Sequence, residues 1–173
     1  MTQARLIVVT DANVIINLMH VSRLEICGRL PGHAFVVPEH VYAEITNPSQ
    51  RALLDAAVEG GVFRIEALVE ISALELFAEL RTRVGRGEAS CLAMAAERGW
   101  LIASDEKKRF RREAEARIGK ERILGTVELF VLAIQAQILT VEDADADKAV
   151  LERNRFKMPF ESFRELIEQE DHG

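Results

Sequence analysis

The sequence predicts a three-layer α/β/α fold around a mainly parallel central sheet of about five strands, and three observations predict it. Short apolar, β-branched runs alternate with stretches of helical periodicity along the chain. The first run, Leu6-Ile7-Val8-Val9, is apolar throughout, as a strand covered on both faces is. Two runs, this one and Trp100-Leu101-Ile102-Ala103, end in a small polar residue and an aspartate, Thr10-Asp11 and Ser104-Asp105. Open α/β sheets hold their ligands beyond the carboxyl ends of the strands, which is where both aspartates fall.

The elements follow in order. After the strand Leu6 to Val9, Val14, Ile15 and Leu18 at helical spacing predict a helix from Asp11 to Met19. Phe35-Val36-Val37 is a second strand, and Pro38 is the expected first residue of a helix that Pro48 must end. Val41 and Ile45 mark that helix's apolar face, with Glu44 beside it. Val62 to Ile65, after Gly60-Gly61, forms a third strand. Ser72-Ala73-Leu74-Glu75 fits a capping box and predicts a helix from about Ala73 to Arg83. Gly85 and Gly87 punctuate, Glu88 opens an Ala-rich helix, and Gly99 closes it. Trp100 to Ser104 is the fourth strand, and a charged helix runs from Glu106 to about Ile118. Ile123-Leu124 is a fifth short strand, and Gly125-Thr126 caps a helix from Val127 to Leu139. Two amphipathic pieces follow, Val141 to Arg153 and Phe160 to Gln169. The chain is read as a domain over residues 1–139 with a helical extension, residues 140–173, packed on it.

Composition bounds the function. With 173 residues, 49% of them hydrophobic and 29% charged, the chain can bury a substantial core. A net charge of −6 argues against gripping nucleic acid through bulk charge. Two distant cysteines, Cys27 and Cys91, and no secretory segment after Met1 make a reduced, cytoplasmic setting the expectation. No apolar run approaches the roughly 18 residues that span a bilayer, so no membrane role is expected. His20, His33, His40 and His172 lack metal-ligand spacing, which speaks against a zinc site.

The acids carry the chemistry. Asp11 reads equally as an N-cap and as a site carboxylate, and Asn13 suits either role. Glu88 shares a helical face with Cys91, Leu92 and Ala95, which sets a carboxylate in line with an apolar stripe. The alternative is a first-turn Glu that points to solvent and gains from the helix dipole. Asp105 repeats the Asp11 pattern; Glu106, its neighbour, is read as solvated, and Glu44 is the fourth acid. Clustered carboxylates raise one another's pKa unless a cation offsets them. Oxygen ligands favour Mg²⁺ or Mn²⁺, and such a site suits phosphodiester chemistry.

These residues resemble a PIN domain. The likeness rests on Asp11 within Val9-Thr10-Asp11-Ala12-Asn13-Val14-Ile15, Glu44 after Val37-Pro38-Glu39-His40-Val41, Gly87-Glu88-Ala89 and Ala103-Ser104-Asp105. It runs from about Leu6 to Leu139 and is similar to a prokaryotic branch with a Gly-Glu-Ala helix start and a Gly-Thr step, here Gly125-Thr126. The resemblance implies a metal-dependent ribonuclease in which Asp11, Glu44, Glu88 and Asp105 form the acidic pocket. Asp11, Glu88 and Asp105 would hold Mg²⁺ or Mn²⁺, with Asn13 and Thr126 in support. It also implies a possible VapC-like toxin with an antitoxin protein as partner, and a homodimer. Glu88 stands where small toxins of the family usually carry Asp, and Glu106-Lys107-Lys108 replaces their Asp-Phe ending.

Lys107, Lys108, Arg109 and Arg112 form the most concentrated basic stretch, directly after Asp105. They are either contacts to RNA phosphates or a solvated face paired with Glu113 and Glu115. Arg86 is a weaker candidate for the same role. Phe156, Phe160 and Phe163 read as packing residues of the C-terminal segment or as a partner surface. A non-catalytic binding module of the same fold is the alternative function. An aspartyl-phosphate enzyme fits poorly, because Asn13 stands where a second Asp would be needed.

Overall fold

The structure is a computed structural model that describes residues 3–173. β1 (Leu6–Thr10), β2 (His33–Pro38), β3 (Phe63–Glu66), β4 (Leu101–Ala103) and β5 (Ile123–Leu124) form one all-parallel sheet in the order β3-β2-β1-β4-β5. The chain therefore builds outward from β1 to β3, returns to the other side of β1 and builds outward again. That reversal leaves a crevice at the carboxyl ends of β1 and β4. Thr10 lies opposite Ala103, so the next residues on each strand, Asp11 and Ser104, leave the sheet side by side.

β1 is central because its run is apolar up to Thr10, which is itself fully buried. Val8 and Val9 are fully buried, between Phe35 and Val36 of β2 and Leu101 and Ile102 of β4. The helices α1 (Ala12–His20), α3 (Glu39–Glu44) and α6 (Arg86–Arg98) line the crevice. From Gly87 to Ala95 every residue of α6 is buried except Glu88, which is half-buried. Gly99 ends this helix in the left-handed conformation, φ 68°, that glycine tolerates best.

Several boundaries differ from the sequence expectation. Pro38 closes β2 and caps α3 instead of starting it, and α3 ends at Glu44. Pro48 ends nothing: it is the first residue of α4 (Pro48–Glu59), a helix the sequence reading lacked. Asn47 caps α4 by accepting from the Ser49 and Gln50 amides, a pattern visible in Asn-Pro-Ser once Pro is read as a helix opener. The short α2 (Ile26–Arg29) was also missing. The proposed capping box is absent: α5 (Ile71–Leu80) starts one residue before Ser72, with Glu70 as an N-cap that makes no side-chain cap bond. α7 (Lys108–Ile118) starts later than Glu106, and α8 (Thr126–Gln135) stops four residues short of Leu139.

α9 (Val141–Arg153) has the bounds its periodicity predicts, while α10 covers Phe163–Glu170. α9 packs on α1 and α8, and α10 on α8 and α9. Phe163 is fully buried, stacked on Phe130 of α8 at 5.5 Å between ring centroids. Among the described residues no helix is long and apolar enough to cross a membrane.

Candidate active site

Asp11 lies at the floor of the crevice, 4% exposed. It is the N-cap of α1. Its Oδ1 accepts from the Ala12 amide at 2.8 Å, and its Oδ2 accepts from the Ser104 hydroxyl at 3.1 Å. Burial pushes its carboxyl up to about 7 against those two hydrogen bonds, and the charges of Glu88 and Glu44 push the same way. Glu88 is also raised, by burial first and then by Glu106 and Glu44. Glu44 and Glu106 are exposed. The four acids thus grade from a buried floor through half-buried Glu88 to an open rim.

Gly87 explains how Glu44 reaches this rim. Its amide donates to Glu44 Oε1 at 2.8 Å, and a Cβ at position 87 would lie 2.5 Å from Glu44 Oε2. Glycine is needed for that approach, and the next residue in the chain is Glu88. One tight step therefore joins two acids from distant segments.

Asp105 lies at the same strand ends but faces another way. Its Oδ1 accepts from the Thr126 amide at 2.7 Å, and its Oδ2 from the Thr126 hydroxyl at 2.5 Å and from Asn17 Nδ2 at 2.9 Å. Burial raises its pKa, those bonds lower it, and Glu128 is the charge acting on it most. Gly125 permits the contact, since a Cβ there would lie 2.9 Å from Asp105 Oδ1. The Gly125-Thr126 step is therefore a receptor for one carboxylate. Asn13 and Asn17, one turn apart on α1, divide the work. Asn13 Oδ1 accepts from the Asp105 amide at 3.2 Å, and its Nδ2 donates to Glu106 Oε1 at 3.1 Å.

Two residues of this network, Asn17 and Ser104, were not singled out by sequence reasoning. Asn17 had a signal, being polar and one turn from Asn13 on a helix otherwise apolar on that side. Ser104 is buried, donates to Asp11 and accepts from the Glu106 amide at 3.1 Å. Glu106, read from the sequence as solvated, is exposed; it accepts from Asn13, and its charge acts on Glu88.

The basic stretch divides. Lys107 borders Asp105 and Glu106. Arg109 and Arg112 line a separate groove with Arg83 and Glu113, and Arg109 donates to the Arg83 carbonyl at 3.2 Å. Lys108 is exposed at the first turn of α7. Cys91 is fully buried, and burial raises its thiol well above its usual range, so it is an inert core residue.

The charges acting most on Asp11 and Glu88 all belong to acids. A cation is the group this chemistry lacks. Among the described residues, no three Asp, Glu, His or Cys side chains converge to enclose an ion by themselves. A family model, DUF3368, described as a PIN domain, matches residues 7–169. The chain belongs to the PIN domain family. PIN domains are in general nucleases with divalent metals, and the acids of this one surround the strand ends where such chemistry is expected. No curated protein matches the chain.

Proposed function

We propose that this PIN domain is a metal-dependent endoribonuclease that hydrolyses RNA phosphodiester bonds. The observation that carries the reading is Asp11: a buried carboxylate pushed up to about 7, at a parallel-sheet switch point, with only acids as its strongest charged neighbours. Asp11 and Glu88 would hold Mg²⁺ or Mn²⁺, which would supply Lewis-acid stabilisation of the charge that builds on the scissile phosphate. Glu44, fixed at the rim by the Gly87 amide, orients the attacking water. Asp105 positions the corner between β4 and α8 through Thr126 and Asn17, and any share it takes in the metal uses lone pairs those bonds leave free. Glu106, tied to Asn13, completes the acidic mouth.

The test is cleavage of a mixed pool of structured and single-stranded RNA by the full chain with Mn²⁺. Wild type cuts, and Asp11→Asn and Glu88→Gln do not, while both variants keep the wild-type circular dichroism. A folded wild type that binds Mn²⁺ and RNA without cutting would overturn the enzyme in favour of a binding module. A toxin role predicts that expression arrests bacterial growth with the wild type and not with Asp11→Asn.

A further inference from the structure

Two clefts adjoin the acidic mouth on the side of the C-terminal extension. One, of about 410 Å³, runs between the start of α7 and the loop joining α9 to α10, with Phe160 at its far wall. The other, of about 430 Å³, lies between α1 and the same loop, against Asn154 and Arg155. Both share Asp105, Glu106, Lys107, Phe156 and Lys157, so they are two arms of one groove that bends around Phe156. We propose that this groove is a subsite for single-stranded RNA beside the scissile bond, with Phe156 as a base-stacking face and Lys107, Arg155 and Lys157 as phosphate contacts. The proposal rests on the ribonuclease reading and extends it to how substrate is held.

The charges support it. Lys107, Arg155 and Lys157 are exposed and form no ion pair among the described residues. Arg111, the other cation lining the groove, is paired with Glu115 at 2.7 Å. In a chain of net charge −6, these three cations stand beside the acids where an anionic polymer would have to enter. Lys107 and Lys108 also stand at the N-terminal end of α7, where the helix dipole disfavours cations unless an anion joins them. Lys108 and Arg155 take left-handed backbone angles, φ 59° and 68°, and these are two of the four non-glycine residues that do so among those described. Both strained residues flank the groove.

The aromatic wall decides the kind of RNA. Phe156 is half-buried, packs against the core and lines both arms, so what it leaves exposed borders the bend of the groove. Phe160 is braced edge-on by Phe163 at 5.0 Å, which fixes the far wall. A ring set inside a walled groove is reached by an unstacked base and not by the continuous stack of a duplex.

The experiment measures binding of a short, fluorescently labelled, mixed-sequence RNA to full-length Asp11→Asn protein in EDTA, which separates holding from cutting. Lys107→Ala and Lys157→Ala should each weaken binding and reduce the slope of log affinity against log salt by about 0.7. Phe156→Leu should weaken binding about tenfold, and Phe156→Trp should restore it with indole quenching on RNA addition. Arg109→Ala with Arg112→Ala, on the separate groove, should change little, and a duplex of the same sequence should bind less tightly. Equal binding by duplex, or loss of binding in the Arg109/Arg112 variant but not in the Lys157 and Phe156 variants, overturns the proposal. So does preference for polyglutamate over RNA, which would mark the groove as a site for an acidic protein. If wild type cuts RNA with Mn²⁺ and the groove variants cut and bind it equally well, the subsite alone falls. If wild type neither cuts nor binds RNA, the ribonuclease reading falls with it.

Discussion

Asp11 sets the pH response of the metal-free protein. Its carboxyl, about 3.8 when unfolded, is pushed up to about 7 by burial in the fold. Between those values the native chain holds a proton that the unfolded chain has released, so stability falls as pH rises and levels off above about 7. The loss across that window is on the order of 2–4 kcal/mol, and half-buried Glu88, also raised, adds in the same direction. Urea unfolding in EDTA should show this slope for wild type and a much flatter one for Asp11→Asn, which should be the more stable protein at pH 7. Added Mn²⁺ should stabilise wild type more at pH 7 than at pH 5, because the ion competes with the proton. An Asp11→Asn variant as pH-dependent as wild type would remove Asp11 as the source. Gly87→Ala separates site from scaffold at the same scale. Alanine favours a helix by up to about 1 kcal/mol over glycine, but its methyl carbon would meet Glu44 at 2.5 Å. Cleavage should drop while the unfolding midpoint holds or falls only slightly; full activity in that variant would show that Glu44 needs no fixed seat.

At the scale of elements, strands and the site-bearing helices were legible because burial writes a plain pattern. The β1 run, the α6 stripe and the α9 periodicity each carry their identity in apolar spacing, and Asp11 and Asp105 follow from where runs stop. Helix boundaries were less legible where one residue serves two roles. Pro48 can be read as a helix stop or a helix start, and the Asn47 side chain, accepting two amides, makes it a start. Asn47→Ala should therefore cost about 1 kcal/mol, measured by chemical unfolding; no change would mean that packing alone holds α4. The direction of a carboxylate was not legible at all. Asp11 and Asp105 have the same local sequence pattern, yet one faces Glu44 and Glu88 and the other is received by Thr126. Partners that lie 21 and 88 residues away decide this, and no local spacing encodes them.

For the whole molecule, the extension is part of the core. Phe163 fills a fully buried place against Phe130, and Arg23 donates to Asp147 at 2.7 Å, linking α9 to the turn after α1. Burial raises the Asp147 carboxyl more than Arg23 lowers it, so this pair fixes where α9 sits more than it stabilises the fold. Phe163→Ala should cost about 3–5 kcal/mol. A chain ended at Leu139 should expose the face of α8 around Phe130 and aggregate. A soluble, cooperatively folding 1–139 fragment would show instead that the extension is a dispensable cover.

The sheet order has a consequence for when the protein can act. β1 emerges from the ribosome first but lies in the middle of the sheet, and the hydroxyl that steadies Asp11 belongs to Ser104, 93 residues later. Asp11 therefore gains that partner only once β4 has been made and has paired with β1. For a protein proposed to cut RNA, the floor of the site is thus completed by the same pairing that closes the middle of the sheet.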